Sequence, residues 1–216
     1  MSTRLGIDLV VEPAFTARAY RVRNVVCGQY ASWAAEMHTL RMSVVPYFQC
    51  SDTAVDLLAQ RTGSLAEQSR RRSPKFSINC RGVADGRNGN GDGGTNGQNN
   101  SVYLDFEQTD RNHPLAQLQR EALTLVEDLP GATAPDGAAE YHPKINLMEF
   151  ANLPPTVMAD AAEFAKSVSI DMGVPAVAQA WRLVILRYHS DVADDDWDHG
   201  GWASDLRWEY LASYVL

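Results

Sequence analysis

The sequence predicts an α+β fold in which two related β-α-β halves each present one polar-lined strand to a shared central cleft. Three observations predict it. Strand-like and helix-like stretches alternate along the chain, as β-α-β-α-β and then β-α-β-α-β-β, so the second half repeats the element order of the first. The helical stretches carry apolar residues at three- and four-residue intervals, enough to cover a sheet face. The two strands at equivalent places, 40–48 and 144–150, each set a basic residue two positions before a small polar one.

Leu5 to Val11 reads as the first strand. Pro13 suits the first turn of a helix, and Phe15, Ala19, Val22 and Val26 follow at helical spacing. Leu40 to Phe48 is the second strand, and Ser51-Asp52 can cap a helix that reaches Arg72 with Val55, Leu58 and Leu65 inside. The Arg70-Arg71-Arg72 run complements that helix's C-terminal carbonyls, and an RNA contact is the sharper alternative. Phe76 to Val83 and Ser101 to Phe106 are the arms of a hairpin. Its tip, 84–100, is almost wholly Gly, Asn and Asp and has too few apolar groups to offset its ordering entropy. No Lys-Ser/Thr follows this run, so it is not a phosphate-binding glycine loop.

His113-Pro114 opens the third helix, to Leu129, with Leu115, Leu118, Ala122 and Val126 on one side. Lys144 to Phe150 is a strand, Thr156 to Met172 a helix, Val177 to Tyr188 a long strand, and Leu206 to Tyr214 a strand placed to close the sheet. The expected organisation is one bilobal domain over 1–216. Lobe 1 covers 1–107 with the loop 84–100, lobe 2 covers 108–216, and strands can exchange between them.

The chain of 216 residues is long enough for a substantial core, and its 45% apolar and 21% charged content is that of a globular protein. No apolar run reaches the roughly 20 residues of a membrane span, and the N-terminus does not read as a signal peptide. Cys27, Cys50 and Cys80 are odd in number and far apart, so they read as reduced thiols in or near the core. The expectation is a soluble, cytoplasmic protein with no membrane partner. A net charge of −8 argues against binding long duplex nucleic acid and leaves room for a small phosphate pocket.

Side chains alternate faces along a strand. Arg41 and Ser43 therefore share one face, and Lys144 and Asn146 share the corresponding face of the other strand, while Met42, Val44, Ile145 and Leu147 point into the core. A guanidinium fork, an ammonium, a hydroxyl and an amide together suit a phosphate. Two cations facing each other would also repel unless an anion lay between them, which argues for an anionic ligand.

The segments Arg41-Met42-Ser43-Val44-Val45-Pro46-Tyr47-Phe48 and Pro143-Lys144-Ile145-Asn146-Leu147 resemble the paired His-apolar-Thr/Ser-apolar motifs of the 2H phosphoesterase superfamily, which includes bacterial 2′-5′ RNA ligase-like proteins and cyclic phosphodiesterases. The resemblance implies the bilobal 2H fold, metal-independent phosphodiester chemistry without a cofactor, and a nucleotide or short oligonucleotide, cyclic phosphates included, as partner. In that family one histidine is the general base and the other the general acid, while the hydroxyl residues hold phosphate oxygens. Here both histidine positions differ, being Arg41 and Lys144, and the second hydroxyl position is Asn146.

Arginine cannot act as a base, because its pKa stays above ~12. Lysine can act as an acid where burial lowers its value. The expected phosphate ligands are Arg41, Ser43 and Asn146, with Lys144 as acid and His142 as rescue base. Tyr47 and Tyr188, near strand ends, are the candidates for a base-facing surface, ahead of Tyr103 and Trp181. His38 precedes no hydroxyl residue at the required spacing and reads as a surface histidine. The stretch Asp191 to His199 reads as a solvated acidic turn without the EF-hand spacing, and His199-Gly200-Gly201-Trp202 as a tight turn at the cleft edge, so no metal site is expected. The functional reading is a phosphate-binding cleft with catalysis degraded. An active phosphodiesterase or ligase-like enzyme, or an interaction module with a vestigial cleft, are the alternatives.

Overall fold

A computed structural model describes residues 2–32, 39–86, 101–133, 141–149, 151, 153–192 and 205–216. Strand β1 (Ser2–Val11) leads into helix α1 (Pro13–Gln29), strand β2 (Met42–Phe48) and helix α2 (Val55–Arg72), the last preceded by a 3-10 turn at Asp52–Ala54. Strands β3 (Ser77–Asp85) and β4 (Val102–Phe106) follow, then α3 (Pro114–Glu127), β5 (Lys144–Met148), α4 (Pro155–Asp171), β6 (Val177–Ser190) and β7 (Arg207–Val215). The alternating order expected from sequence is the one observed.

Local chemistry explains the element ends. Pro13, Pro114 and Pro155 open their helices, where a missing N–H costs nothing. The His113 ring accepts the Leu115 N–H at 3.2 Å, capping α3. Gly82, at φ +102°, sits where the β3–β4 register shifts, a backbone conformation that favours glycine. The arms of the expected hairpin pair from Cys80↔Phe106 to Asp85↔Val102. Of the expected tip, 84–100, Ala84 and Asp85 instead belong to β3, paired with Tyr103 and Val102, and 87–100 lie outside the described residues, as do His38, Phe150, Asp194 to His199 and Trp202.

All strand pairings are antiparallel. They run β1–β2–β5–β4–β3–β6–β7, and β6 also pairs with β1 along most of its length. One correction to the sequence expectation follows. β7 does not close the sheet; among the described strands it pairs with β6 alone, and the ring closes through β1–β6. The hydrogen-bonded groups mix the two sequence halves. β6 and β7 join β1 and β2, while β3 joins β4 and β5, with β6 residues 177–179 reaching β3.

The helices cross over in the same way. α1 and α4 pack together against β3, β4 and β5, whereas α2 and α3 pack together against β7 and β2. The strand faces they cover carry Ile7, Leu9, Val44, Leu104, Phe106, Ile145 and Leu147, all buried in one core with Phe15, Val22, Leu58, Leu118 and Ala165. At the C-terminus of α2, Arg72 makes a two-pronged pair with Glu121 of α3 at 2.6 Å, and Arg70 and Arg71 both engage Glu67. The arginine run is thus answered by the protein's own acids. No described helix is long and apolar enough to cross a membrane.

Phe15 is fully buried, with its ring centroid 5.8 Å from that of Phe106. Phe15→Ala is expected to destabilise the fold by about 3–5 kcal/mol, read as a lowered urea midpoint; a loss below about 1 kcal/mol would contradict the packing described.

Candidate functional site

The opposite strand face is polar, and cross-strand register aligns it. Asp8 of β1 lies opposite Ser43 of β2. Met42 pairs with Ile145, the one point at which β2 and β5 meet, so extending that register sets Ser43 beside Lys144 and Arg41 beside Asn146. On the far side of β5, Lys144 pairs with Asp105 and Asn146 with Tyr103. Directly opposed residues share a face. Asp8, Ser43, Lys144 and Asp105 therefore form one row across four strands, and Arg41, Asn146 and Tyr103 form the next.

Arg41 is not open to a ligand. Its side chain is 9% exposed, and its Nε lies 3.1 Å from Oδ1 of Asp8, itself 1% exposed. The Nε–H is not aligned for a hydrogen bond there, so the contact is an ion pair. One Nη donates to the Tyr47 hydroxyl at 3.1 Å, and the guanidinium lies 5.2 Å from the Tyr188 ring centroid. Tyr188 donates its hydroxyl to Asp8 Oδ2 at 3.1 Å and meets the Tyr47 ring edge-on at 4.9 Å. Burial pushes the Asp8 carboxyl up, while Arg41 and the Tyr188 and Ser43 hydroxyls pull against that rise. Burial likewise raises the Tyr47 and Tyr188 phenols, which stay neutral donors.

These contacts correct two expectations. Arg41 is already paired with the protein's own Asp8, so cation repulsion no longer argues for a ligand. Tyr188 is 1% exposed, packed with Val184, Leu186 and Leu206, and offers no surface on which a base could stack. Tyr47 remains half-buried against the same cluster. Trp181 packs beneath Arg182.

The β5–β4 side is more open. Lys144 is half-buried, with Nζ 5.1 Å from the Tyr103 ring centroid and no ion pair among the described residues. The exposed His142 meets the same ring edge-on at 5.7 Å, so both residues flank Tyr103. His142 Nε2 is 2.6 Å from Asp105 Oδ1. A carboxylate only accepts, so Nε2–H donates, and in the neutral ring Nδ1 is then the nitrogen with the lone pair. The pair is a histidine oriented by an acid beside a cation, an arrangement suited to proton transfer at phosphorus.

Sequence reasoning missed Asp8 and Asp105. Each carried a signal: Asp8 interrupts the apolar run Leu5 to Val11, and Asp105 stands between Leu104 and Phe106. A cavity of about 410 Å³, lined by Leu5, Phe48, Cys50 and Arg187 among others, opens on the other face of β1 and does not include this polar row.

No family model matches the chain, and no curated protein sequence does. Solved structures do. Escherichia coli LigT complexed with NADP+ superposes with a TM-score of 0.55 at 15% identity, over 99% of this chain and 97% of that one. A phosphoesterase gives 0.52 at 14% identity over 100% and 99%. E. coli LigT complexed with 3′-AMP gives 0.51 at 13% over 99% and 98%. The chain has the LigT-like 2H phosphoesterase fold along its full described length.

Removing one member of a buried pair leaves the other uncompensated. Asp8→Ala is expected to cost about 3–5 kcal/mol in urea unfolding, and Asp8→Leu with Arg41→Met to recover most of it. Equal losses in both variants would mean that the ion pair is not what holds this side of the row.

Proposed function

We propose that the protein binds the phosphate of a nucleotide or short oligonucleotide, cyclic phosphates included, between β2 and β5, and that its phosphodiester catalysis is reduced or lost. The observation that carries this reading is the sequestration of Arg41. Asp8 neutralises it, so the position of the family's first histidine holds neither a proton acceptor nor a free cation. Lys144, by contrast, makes no ion pair among the described residues, with Ser43 beside it by register and Asn146 on the same face. An ammonium with a hydroxyl and an amide binds a phosphate without cleaving it. The LigT structures with 3′-AMP and NADP+ support a nucleotide as the ligand class for this fold.

A second reading rests on the 2.6 Å contact between His142 and Asp105. His142 Nδ1 would take a proton from water as the water oxygen bonds to phosphorus. Lys144 would then protonate the ribose oxygen whose P–O bond breaks. This gives metal-independent opening of a 2′,3′-cyclic phosphate.

Calorimetric titration with 3′-AMP and 2′,3′-cyclic AMP, with product analysis by chromatography, separates the two. Binding without turnover is expected, and Lys144→Ala should weaken it about 10- to 100-fold through loss of charge-assisted hydrogen bonds. Turnover abolished by His142→Ala would transfer the assignment to the enzyme. Affinity unchanged in Lys144→Ala would remove the site altogether.

A further inference from the structure

The cleft face holds a carboxylate that phosphate binding does not use. Tyr103 pairs with Asn146 but Val102 pairs with Met148, so the β4–β5 register shifts by one residue there. One extra residue in β5 reverses the alternation beyond it. Leu147 and Met148 are accordingly both fully buried, and Glu149 returns to the face of Lys144 and Asn146. Arg41 and Tyr47 both feel its charge. Among the described residues Glu149 Oε2 is buried with no hydrogen-bond partner, and so is Asn146 Oδ1. Leaving such acceptors unmatched costs about 1–3 kcal/mol each, and more for a charged one. A carboxylate beside a phosphate site is also repulsive to the phosphate, unless the ligand brings N–H donors to it.

Taking the cleft as a nucleotide-phosphate site, we propose that Glu149 selects guanine by accepting hydrogen bonds from its Watson–Crick edge while Lys144 and Asn146 hold the phosphate. Guanine offers a carboxylate two adjacent donors, the ring N1–H and the exocyclic amine. Adenine offers its amine beside an acceptor nitrogen, which a carboxylate repels. Lys144 Nζ lies over Tyr103, the partner of Asn146. With the register shift, Glu149 lies two rungs farther along the sheet, roughly 7 Å at the rise of a strand, so one ligand can reach both groups.

The test is calorimetric titration of the full chain with 3′-GMP, 3′-IMP and 3′-AMP, using wild type, Glu149→Gln and Lys144→Ala. Wild type is expected to bind 3′-GMP about tenfold or more tighter than 3′-AMP, the equivalent of one good hydrogen bond to a charged group. 3′-IMP, which lacks the exocyclic amine, should fall between them. Glu149→Gln should remove most of that preference, weakening 3′-GMP and relieving the repulsion at 3′-AMP, and Lys144→Ala should weaken all three alike. Equal wild-type affinities that still depend on Lys144 would overturn guanine selection and leave the phosphate site standing. Binding of none of the three would overturn both. The wild-type ranking decides the matter even where a variant fails to fold.

Discussion

Strands β2 and β5 touch through one backbone pair, Met42 with Ile145, and the parity of that contact determines what the polar face contains. Met42 and Ile145 turn inward, so Arg41, Ser43, Lys144 and Asn146 must turn outward together. A slip of one residue in β5 would turn Lys144 into the core and expose Ile145, a large cost against the stability margin of a domain. The core therefore enforces the site. Phe106, Leu104, Val44 and Leu147 hold the register from behind by packing with α1 and its neighbours. The chemistry in front inherits its spacing from that packing.

Within the row, electrostatics divides the labour unevenly. Arg41 and Asp8 face each other inside a shell of two tyrosines, and the ion pair and the tyrosine hydroxyls offset part of the desolvation cost. Lys144 has the face of Tyr103 instead, and His142 has Asp105. The motif positions are equivalent in topology and unlike in charge availability. Symmetry of fold has not been matched by symmetry of function.

Much of this was legible beforehand. The element order, the proline-started helices and the outward set at 41, 43, 144 and 146 all follow from local pattern, because alternation and capping act over a few residues. Asp8, Asp105 and Glu149 were not recognised, although each stands in plain sequence. Their meaning depends on partners brought from far along the chain: Asp8 on Ser43, Asp105 on Lys144 and His142. Glu149 depends on a one-residue register shift, which no periodicity in β5 announces. Tyr188 was misjudged for the related reason that nothing local shows Arg41 and Asp8 closing over it. Pairing and long-range contact, unlike propensity, have to be seen.

Strand β1 is hydrogen-bonded along its length to β6, from Ser2 with Ser190 to Val11 with Ala180, so it waits for a strand made long after it. Until β6 emerges, β1 has only β2 beside it and one unpaired edge. A topology dominated by such distant pairings folds slowly, and its early chain is vulnerable to capture by other exposed strands. A nascent chain stalled before β6 would thus be a substrate for chaperones or proteases rather than a half-sized working lobe.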